Sequence, residues 1–262
     1  MRIALSQFAA DTDPKRNLEH IRATVADLPE GVTMAVFPEA TMARFGIPLG
    51  PVAEPLDGPW ATEVRQIAAD ADVLVVAGMF TPSPDGRVTN TLLITGRGVD
   101  TSYDKIHLFD AFGFAESRTV APGSRTVVSS VDGVSVGFAT CYDIRFPGLF
   151  QRLADDGAVV TVVPASWGSG PGKREQWELL VRARALDSTT WIVACGQADP
   201  TTIGREPLGN APTGIGHSAV VSPLGEVRAQ LGPAPEVLVV DIDPTEVEAA
   251  RAAVPVLANR RF

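Results

Sequence analysis

The chain has 262 residues, 45% hydrophobic and 20% charged, with a mean hydropathy of +0.12; this is enough apolar material for a large core and too much for a disordered segment. Its 31 acidic against 22 basic side chains give a formal charge of −9, a sign that repels phosphate backbones and anionic headgroups, so neither a nucleic-acid nor a membrane-surface partner is expected. The longest apolar runs, such as Val73 to Phe80, fall far short of the roughly 20 residues a spanning helix needs.

Met1 to Ala10 places an Arg before a few apolar residues and two alanines, but Ser6 and Gln7 interrupt the run, so Ile3 to Phe8 reads as a first strand rather than a secretory leader. Asp13 before Pro14 marks a helix start, and Leu18, Ile21, Val25 and Leu28 share one helical face behind it. A strand over Val32 to Phe37 precedes a second helix with Trp60, Val64, Ile67, Ala68 and Ala71 on one side. Strands at Val73 to Phe80 and Thr91 to Ile94 flank a turn at Asp85-Gly86. Further strands are predicted at Val134 to Phe138, Val159 to Val163 and Thr190 to Ala194, with a helical face of Leu179, Ala183 and Leu186 between the last two. Ser218 to Val221, a turn at Leu224-Gly225 and Val237 to Ile242 follow, and Asp243-Pro244 with Glu246 opens a last helix. The pattern is α/β or layered α+β, and no linker, charge block or repeat divides it, so residues 1–262 read as a single domain. Two cysteines, Cys141 and Cys195, are too few for a disulfide framework, which points to a reducing, cytoplasmic compartment.

Three reactive groups each follow a hydrophobic segment: Glu39 after Val32 to Phe37, Lys105 after Val99 to Tyr103, and Cys141 after Val134 to Thr140. Open α/β sheets place their sites at such carboxyl ends. Together the three suffice for acyl transfer: a thiol as nucleophile, a carboxylate to take its proton, and an ammonium to hold an oxyanion. Singly, each has a plainer reading, the Cys as a small buried hydrophobe and the Glu and Lys as solvated loop residues. Cys195, inside Trp191 to Gly196, fits that plainer reading. Among the histidines, His20 sits among charged residues on the first helix, His217 opens a strand, and His107, two residues past Lys105, either lines the site or fixes its loop. Their wide spacing from the cysteines matches no metal-ligand pattern, so no metal is expected. Gly214 to Ala219 copies a dinucleotide fingerprint without the helix it requires, and Gly168 to Arg174 resembles a phosphate loop but has Arg174 where Ser or Thr should stand; the latter reads as a loop over the site.

Phe37-Pro38-Glu39-Ala40, Tyr103-Asp104-Lys105-Ile106-His107-Leu108-Phe109-Asp110 and Thr140-Cys141-Tyr142-Asp143-Ile144-Arg145-Phe146-Pro147 together resemble the nitrilase superfamily of carbon-nitrogen hydrolases. The likeness runs along nearly the whole chain, through Glu116-Ser117, Trp177-Glu178-Leu179-Leu180, Arg182-Ala183-Arg184-Ala185, Gly216-His217-Ser218 and Pro255-Val256-Leu257. It implies a four-layer αββα sandwich in which helices flank two central mixed β-sheets. It also implies a homodimer or higher even oligomer built on a helical face, with 244–262 as a C-terminal helix and tail that packs on a partner, and no metal or organic cofactor. Glu39, Lys105 and Cys141 align with the family's triad and Glu116 with a supporting carboxylate. The resemblance further implies that the N–H of Tyr142 joins Lys105 at the oxyanion and that Phe45, Tyr142, Arg145, Ser166, Trp167 and His107 meet substrate, while Trp177 reads as core and Arg145 either binds a carboxylate or pairs with Asp143.

The Cys-Tyr-Asp-Ile-Arg-Phe-Pro string is similar to the amidase branch acting on small linear amides such as ω-amides of keto acids or deaminated glutathione. Nitrile or N-carbamoyl hydrolysis by the same triad, or a scaffold without activity, are the alternatives. Gly148, Asp104 and the Phe109 to Phe114 loop depart from that branch's usual residues.

Overall fold

The computed structural model describes residues 1–207, 209 and 211–261. The chain starts as β1 (Arg2–Gln7), α1 (Pro14–Ala26), β2 (Met34–Val36), α2 (Pro59–Asp70) and β3 (Leu74–Pro82), two successive β-α-β crossovers that place β1, β2 and β3 side by side in parallel. Asp13 caps α1, its carboxylate accepting the N–H of Lys15 at 3.0 Å with Pro14 in the first turn. The antiparallel strands β4 (Val88–Gly96) and β5 (Val99–Asp104) extend the sheet, a small hairpin of β6 (Asp110–Ala111) and β7 (Phe114–Ala115) follows, and β8 (Val120–Ala121) returns to pair with β4.

The second half repeats the plan. β9 (Val128–Val131) and β10 (Val134–Phe138) form a hairpin, and α3 (Pro147–Asp155), β11 (Val160–Ala165), α4 (Lys173–Ser188) and β12 (Trp191–Gly196) give two further crossovers, so β10, β11 and β12 are again parallel. The hairpin of β13 (Ala219–Val221) and β14 (Val227–Gln230) closes this sheet beside β12, whereas β15 (Glu236–Asp241) crosses back and pairs antiparallel with β1. α5 (Glu246–Ala253) and α6 (Val256–Asn259) end the chain.

Side-chain packing makes these elements four layers. Ile3, Leu5, Val36, Val76 and Ile94 of the first sheet meet Val136, Phe138, Val162, Val193 and Val220 of the second in one buried cluster. The other face of the first sheet packs on Ile21 and Val25 of α1 and Trp60, Val64 and Ile67 of α2; the other face of the second packs on Leu153 of α3 and Trp177, Val181 and Ala185 of α4. The architecture is thus an αββα sandwich, with both faces of each sheet covered, as buried parallel strands require.

Two local expectations change. The apolar residues Leu179 and Leu186 of α4 face outward, 67% and 47% exposed, while Trp177, Val181, Ala185 and Ser188 face the sheet. Asp243 does not cap the last helix: it accepts the N–H and hydroxyl of Thr245 in a turn, and α5 starts at Glu246 and breaks before α6. Within the expected 244–262 tail, Phe262 lies outside the described residues. No helix among the described residues is long and apolar enough to cross a membrane.

Candidate active site

Four parallel strands deliver the site at their carboxyl ends. After β2 the chain turns at Phe37-Pro38 and presents Glu39, whose backbone lies against β3 so closely that a Cβ on Gly78 would come within 2.6 Å of the Ala40 nitrogen and 2.9 Å of the Glu39 Cα. Gln197, just past β12, donates from Nε2 to the Glu39 carbonyl at 3.0 Å. After β11, the Ser166 N–H donates to Glu39 Oε2 at 2.8 Å. After β10, Cys141 opens a short 3-10 turn (Cys141–Arg145) with φ of +47°, in the left-handed region that a residue with a Cβ rarely adopts. Such strain persists only where neighbours over-determine it and is enriched at functional sites.

Lys105 leaves the end of β5 buried, and its Nζ donates to Glu39 Oε1 at 2.9 Å and to Glu116 Oε2 and Oε1 at 2.9 and 3.2 Å. Asn90 of β4 donates from Nδ2 to Glu39 Oε1 at 2.7 Å and to Glu116 Oε1 at 3.1 Å, and the Phe109 N–H donates to Glu116 Oε2 at 2.7 Å. Burial opposes the charge on Lys105, but the Glu39 and Glu116 carboxylates outweigh it and hold the ammonium well above the ordinary lysine range. The Cys141 thiol lies 3.8 Å from the Ser166 carbonyl oxygen. Burial, seconded by the Glu39 charge and opposed by Lys105, pushes the thiol well above the ordinary cysteine range. The resting site therefore holds a neutral thiol, a cationic lysine and carboxylates beside it. The Tyr142 N–H, in the first turn after Thr140, has no backbone acceptor among the described residues.

Glu39, Lys105, Glu116 and Cys141 line one cavity, which with its mouth encloses about 380 Å³. Phe45, Tyr142, Arg145, Ser166 and Trp167 line it too, as do Phe109, Phe114 and Lys173, which sequence reasoning did not single out for this place. Arg145 does not pair with Asp143. Its Nη2 donates to Gln176 Oε1 at 2.7 Å, its guanidinium stacks 5.0 Å from the Trp167 ring centroid, and its buried Nε has no partner. Lys173, the first residue of α4, holds its Nζ 3.4 Å from the Phe112 ring centroid, and burial, with the nearby Arg145 charge, lowers its pKa. The glycine-rich stretch thus lends Gly168 and Lys173 to the cavity wall.

His107 is absent from the cavity wall. Its ring stacks on Phe146 at 3.7 Å and its Nδ1 bonds Asp143 at 2.8 Å, so it lies behind the site rather than in it. Trp177 is buried, its Nε1 donating to the His217 carbonyl at 2.8 Å. Among the described residues no group of His, Cys, Asp or Glu is arranged to hold a metal. Asn90 and Asp143 carried no sequence signal: Asn90 is a mid-strand amide, and Asp143 read only as a possible partner of Arg145.

The sequence matches the carbon-nitrogen hydrolase family over residues 2–252. It is 56% identical to a hydrolase of Mycobacterium tuberculosis, covering 99% of this chain and 95% of that one. It is 34% identical to the deaminated glutathione amidase of Escherichia coli O157:H7, covering 100% and 98%. Among solved structures it resembles an amidase of the nitrilase superfamily from Nesterenkonia, with 26% identity, a TM-score of 0.79 and coverage of 100% and 94%. A mutant of that amidase shows covalent addition of the acetamide moiety of fluoroacetamide at the active site cysteine. With a match of this length, and an αββα sandwich beneath it, this chain belongs to the carbon-nitrogen hydrolases of the nitrilase superfamily.

Proposed function

We propose that the whole chain acts as one hydrolase domain that converts a small linear carboxamide to the carboxylic acid and ammonia through a thioester on Cys141. The observation that carries this reading is the meeting of the buried Cys141 thiol, the Glu39 carboxyl group and the Lys105 amine on the wall of one cavity. Because the thiol is held protonated, its proton must leave as sulfur attacks, and Glu39 takes it. The amide carbonyl oxygen becomes an oxyanion held by the Lys105 ammonium and the Tyr142 N–H. As the C–N bond breaks, Glu39 returns the proton to the leaving nitrogen and ammonia departs. Water then attacks the thioester, Glu39 accepts its proton and passes it to the departing sulfur, and the acid is released with Cys141 restored. Glu116 keeps Lys105 charged and in place throughout. The name of the Escherichia coli relative supports the amide substrate, and the covalent addition at the Nesterenkonia active site cysteine supports a cysteine nucleophile.

The cavity wall also carries Arg145 and Lys173, neither paired with a carboxylate among the described residues. We read them as the seat of an anionic group on the acyl chain, with Phe45, Tyr142 and Trp167 packing its methylenes. A panel of amides tests both parts. Ammonia release is expected for linear amides whose other end is a carboxylate, with kcat/KM at least about tenfold above uncharged amides of equal length. Cys141→Ala is expected to abolish turnover, and retention of full activity in that variant removes the assignment. The two free, buried cysteines suit a cytoplasmic location. The outward Leu179 and Leu186 suit an even homo-oligomer built on α4; light scattering that gives a monomer mass at micromolar concentration would remove that part.

A further inference from the structure

We propose that Asp143 is a positioning residue: acting through Tyr103 and His107, it fixes the spacing between the Cys141 sulfur and the Lys105 ammonium. The proposal rests on those two groups being the reacting pair of the hydrolysis above. Cys141 belongs to the second sheet and Lys105 to the first, so nothing local in the chain ties one to the other. Asp143 does so from behind the site, as Glu39 does within it through Lys105 and the Ser166 N–H. Asp143 Oδ2 accepts the Thr140 N–H at 2.9 Å, capping the turn that starts at Cys141, and also accepts the Tyr103 hydroxyl at 2.7 Å. Asp143 Oδ1 accepts the His107 N–H at 2.9 Å and the His107 ring at 2.8 Å. Because a carboxylate only accepts, the ring must carry its proton on Nδ1.

Tyr103 and His107 stand two residues either side of Lys105, so the lysine is gripped on both flanks by the group that caps the nucleophile turn. Burial and the Asp143 charge push the Tyr103 hydroxyl well up, which keeps it a donor. The His107 ring stacks on Phe146, where the nucleophile turn ends, at 3.7 Å and 8°. Asp143 is fully buried, and four donors converge on its two oxygens. The isosteric amide cannot replace it, since whichever side carries the NH₂ would face two donors. This network also supplies what the strained φ at Cys141 requires, a neighbour that leaves the turn no alternative.

The test is Asp143→Asn, read by ammonia release and by the rate at which iodoacetamide alkylates Cys141 as a function of pH. The titratable groups lining the cavity with that thiol are Glu39, Lys105, Glu116, Tyr142, Arg145 and Lys173; loss of the Asp143 charge would by itself move the profile down, so an upward displacement reads the spacing to Lys105. The expected result is a fall in kcat of about 100-fold with KM little changed, and an alkylation profile displaced about one pH unit upward as the ammonium recedes from the sulfur. Tyr103→Phe and His107→Gln each cut one of the four bonds and are expected to move both readouts the same way by less. Combining His107→Gln with Asp143→Asn is expected to add little to the single change. A folded Asp143→Asn protein with a lowered Tm but an unchanged alkylation profile overturns the proposal. If that variant does not fold, unchanged profiles in both Tyr103→Phe and His107→Gln do the same. Alkylation needs no substrate, so its outcome stands apart from the hydrolysis reading, which fails instead if Cys141→Ala still releases ammonia.

Discussion

Asn90 carries no charge, yet it shares with Lys105 the work of holding two buried carboxylates in one site. Its two N–H bonds go to Glu39 and Glu116, and its carbonyl oxygen is buried without a partner. A hydrogen bond to a charged group contributes about 1.5–3 kcal/mol, so Asn90→Leu is expected to lower kcat by about 10- to 100-fold in steady-state kinetics, with KM within a few-fold of the wild type; unchanged kcat would show that Lys105 alone holds the carboxylates. The three groups that meet in the cavity were legible in the sequence, because a Glu, a Lys and a Cys each stand just past a hydrophobic segment inside recognisable flanks. Asn90 was not: it stands just outside the predicted Thr91 to Ile94 strand, and an amide there carries no signal until the fold shows what its side chain faces. His107 carried two readings, lining the site or fixing its loop by hydrogen bonding, and the structure has the second. Its place two residues from Lys105 suggested a lining residue, but the alternation of side chains along an extended segment does not fix which groups a bend will expose, and the ring turns instead to Asp143 and Phe146.

At the scale of elements, the site depends on how closely strand ends approach one another. Gly78 in β3 leaves room for the Glu39 backbone, and a Cβ there would press on main-chain atoms, which cannot swing aside as a flexible side chain can. Gly78→Ala is therefore expected to cost about 1–3 kcal/mol, seen as a lower urea midpoint, and to reduce activity by more than tenfold because Glu39 is displaced. Gly148 makes the control. It lies in the first turn of α3, is exposed, and has open space around a notional Cβ, so Gly148→Ala is expected to leave activity intact and to raise stability by about 0.5–1 kcal/mol. The long strands were legible from β-branched runs; β9 and α3 were not, since Val128-Ser129-Ser130-Val131 is too short and polar to stand out and Pro147-Gly148 obscures the start of a helix. In α4 the periodicity was real but marked the outward face. The inward face mixes Trp177, Val181, Ala185 and Ser188 with a buried Arg184, and so looks less apolar than the face left uncovered.

For the molecule as a whole, three buried groups give stability the same dependence on pH. Burial pushes the Cys195 thiol far up; Cys141 is raised by burial and Glu39 against Lys105; Lys105 is raised by its two carboxylates against burial. In the unfolded chain a thiol releases its proton near pH 8.5 and a lysine near 10.4. Above those values the folded protein binds more protons than the unfolded one, so stability falls as pH rises, by about 1.4 kcal/mol per pH unit for each such thiol. Urea unfolding between pH 8 and 10 should show this slope, and Cys195→Ala should lessen it by about one thiol's share; an equal slope in that variant would place the effect elsewhere. The layered class and the order of elements could be read from the chain, but which strands face across the interior could not, because that is settled only when the sheets dock. One pairing from that docking reaches beyond catalysis. β15 lies on the free edge of β1, next but one to the strand that delivers Glu39, with Ser6 opposite Val237. The first sheet is therefore sealed on that side only by a strand that follows every strand of the second sheet in sequence, so the two layers are expected to fold as one cooperative unit rather than in turn.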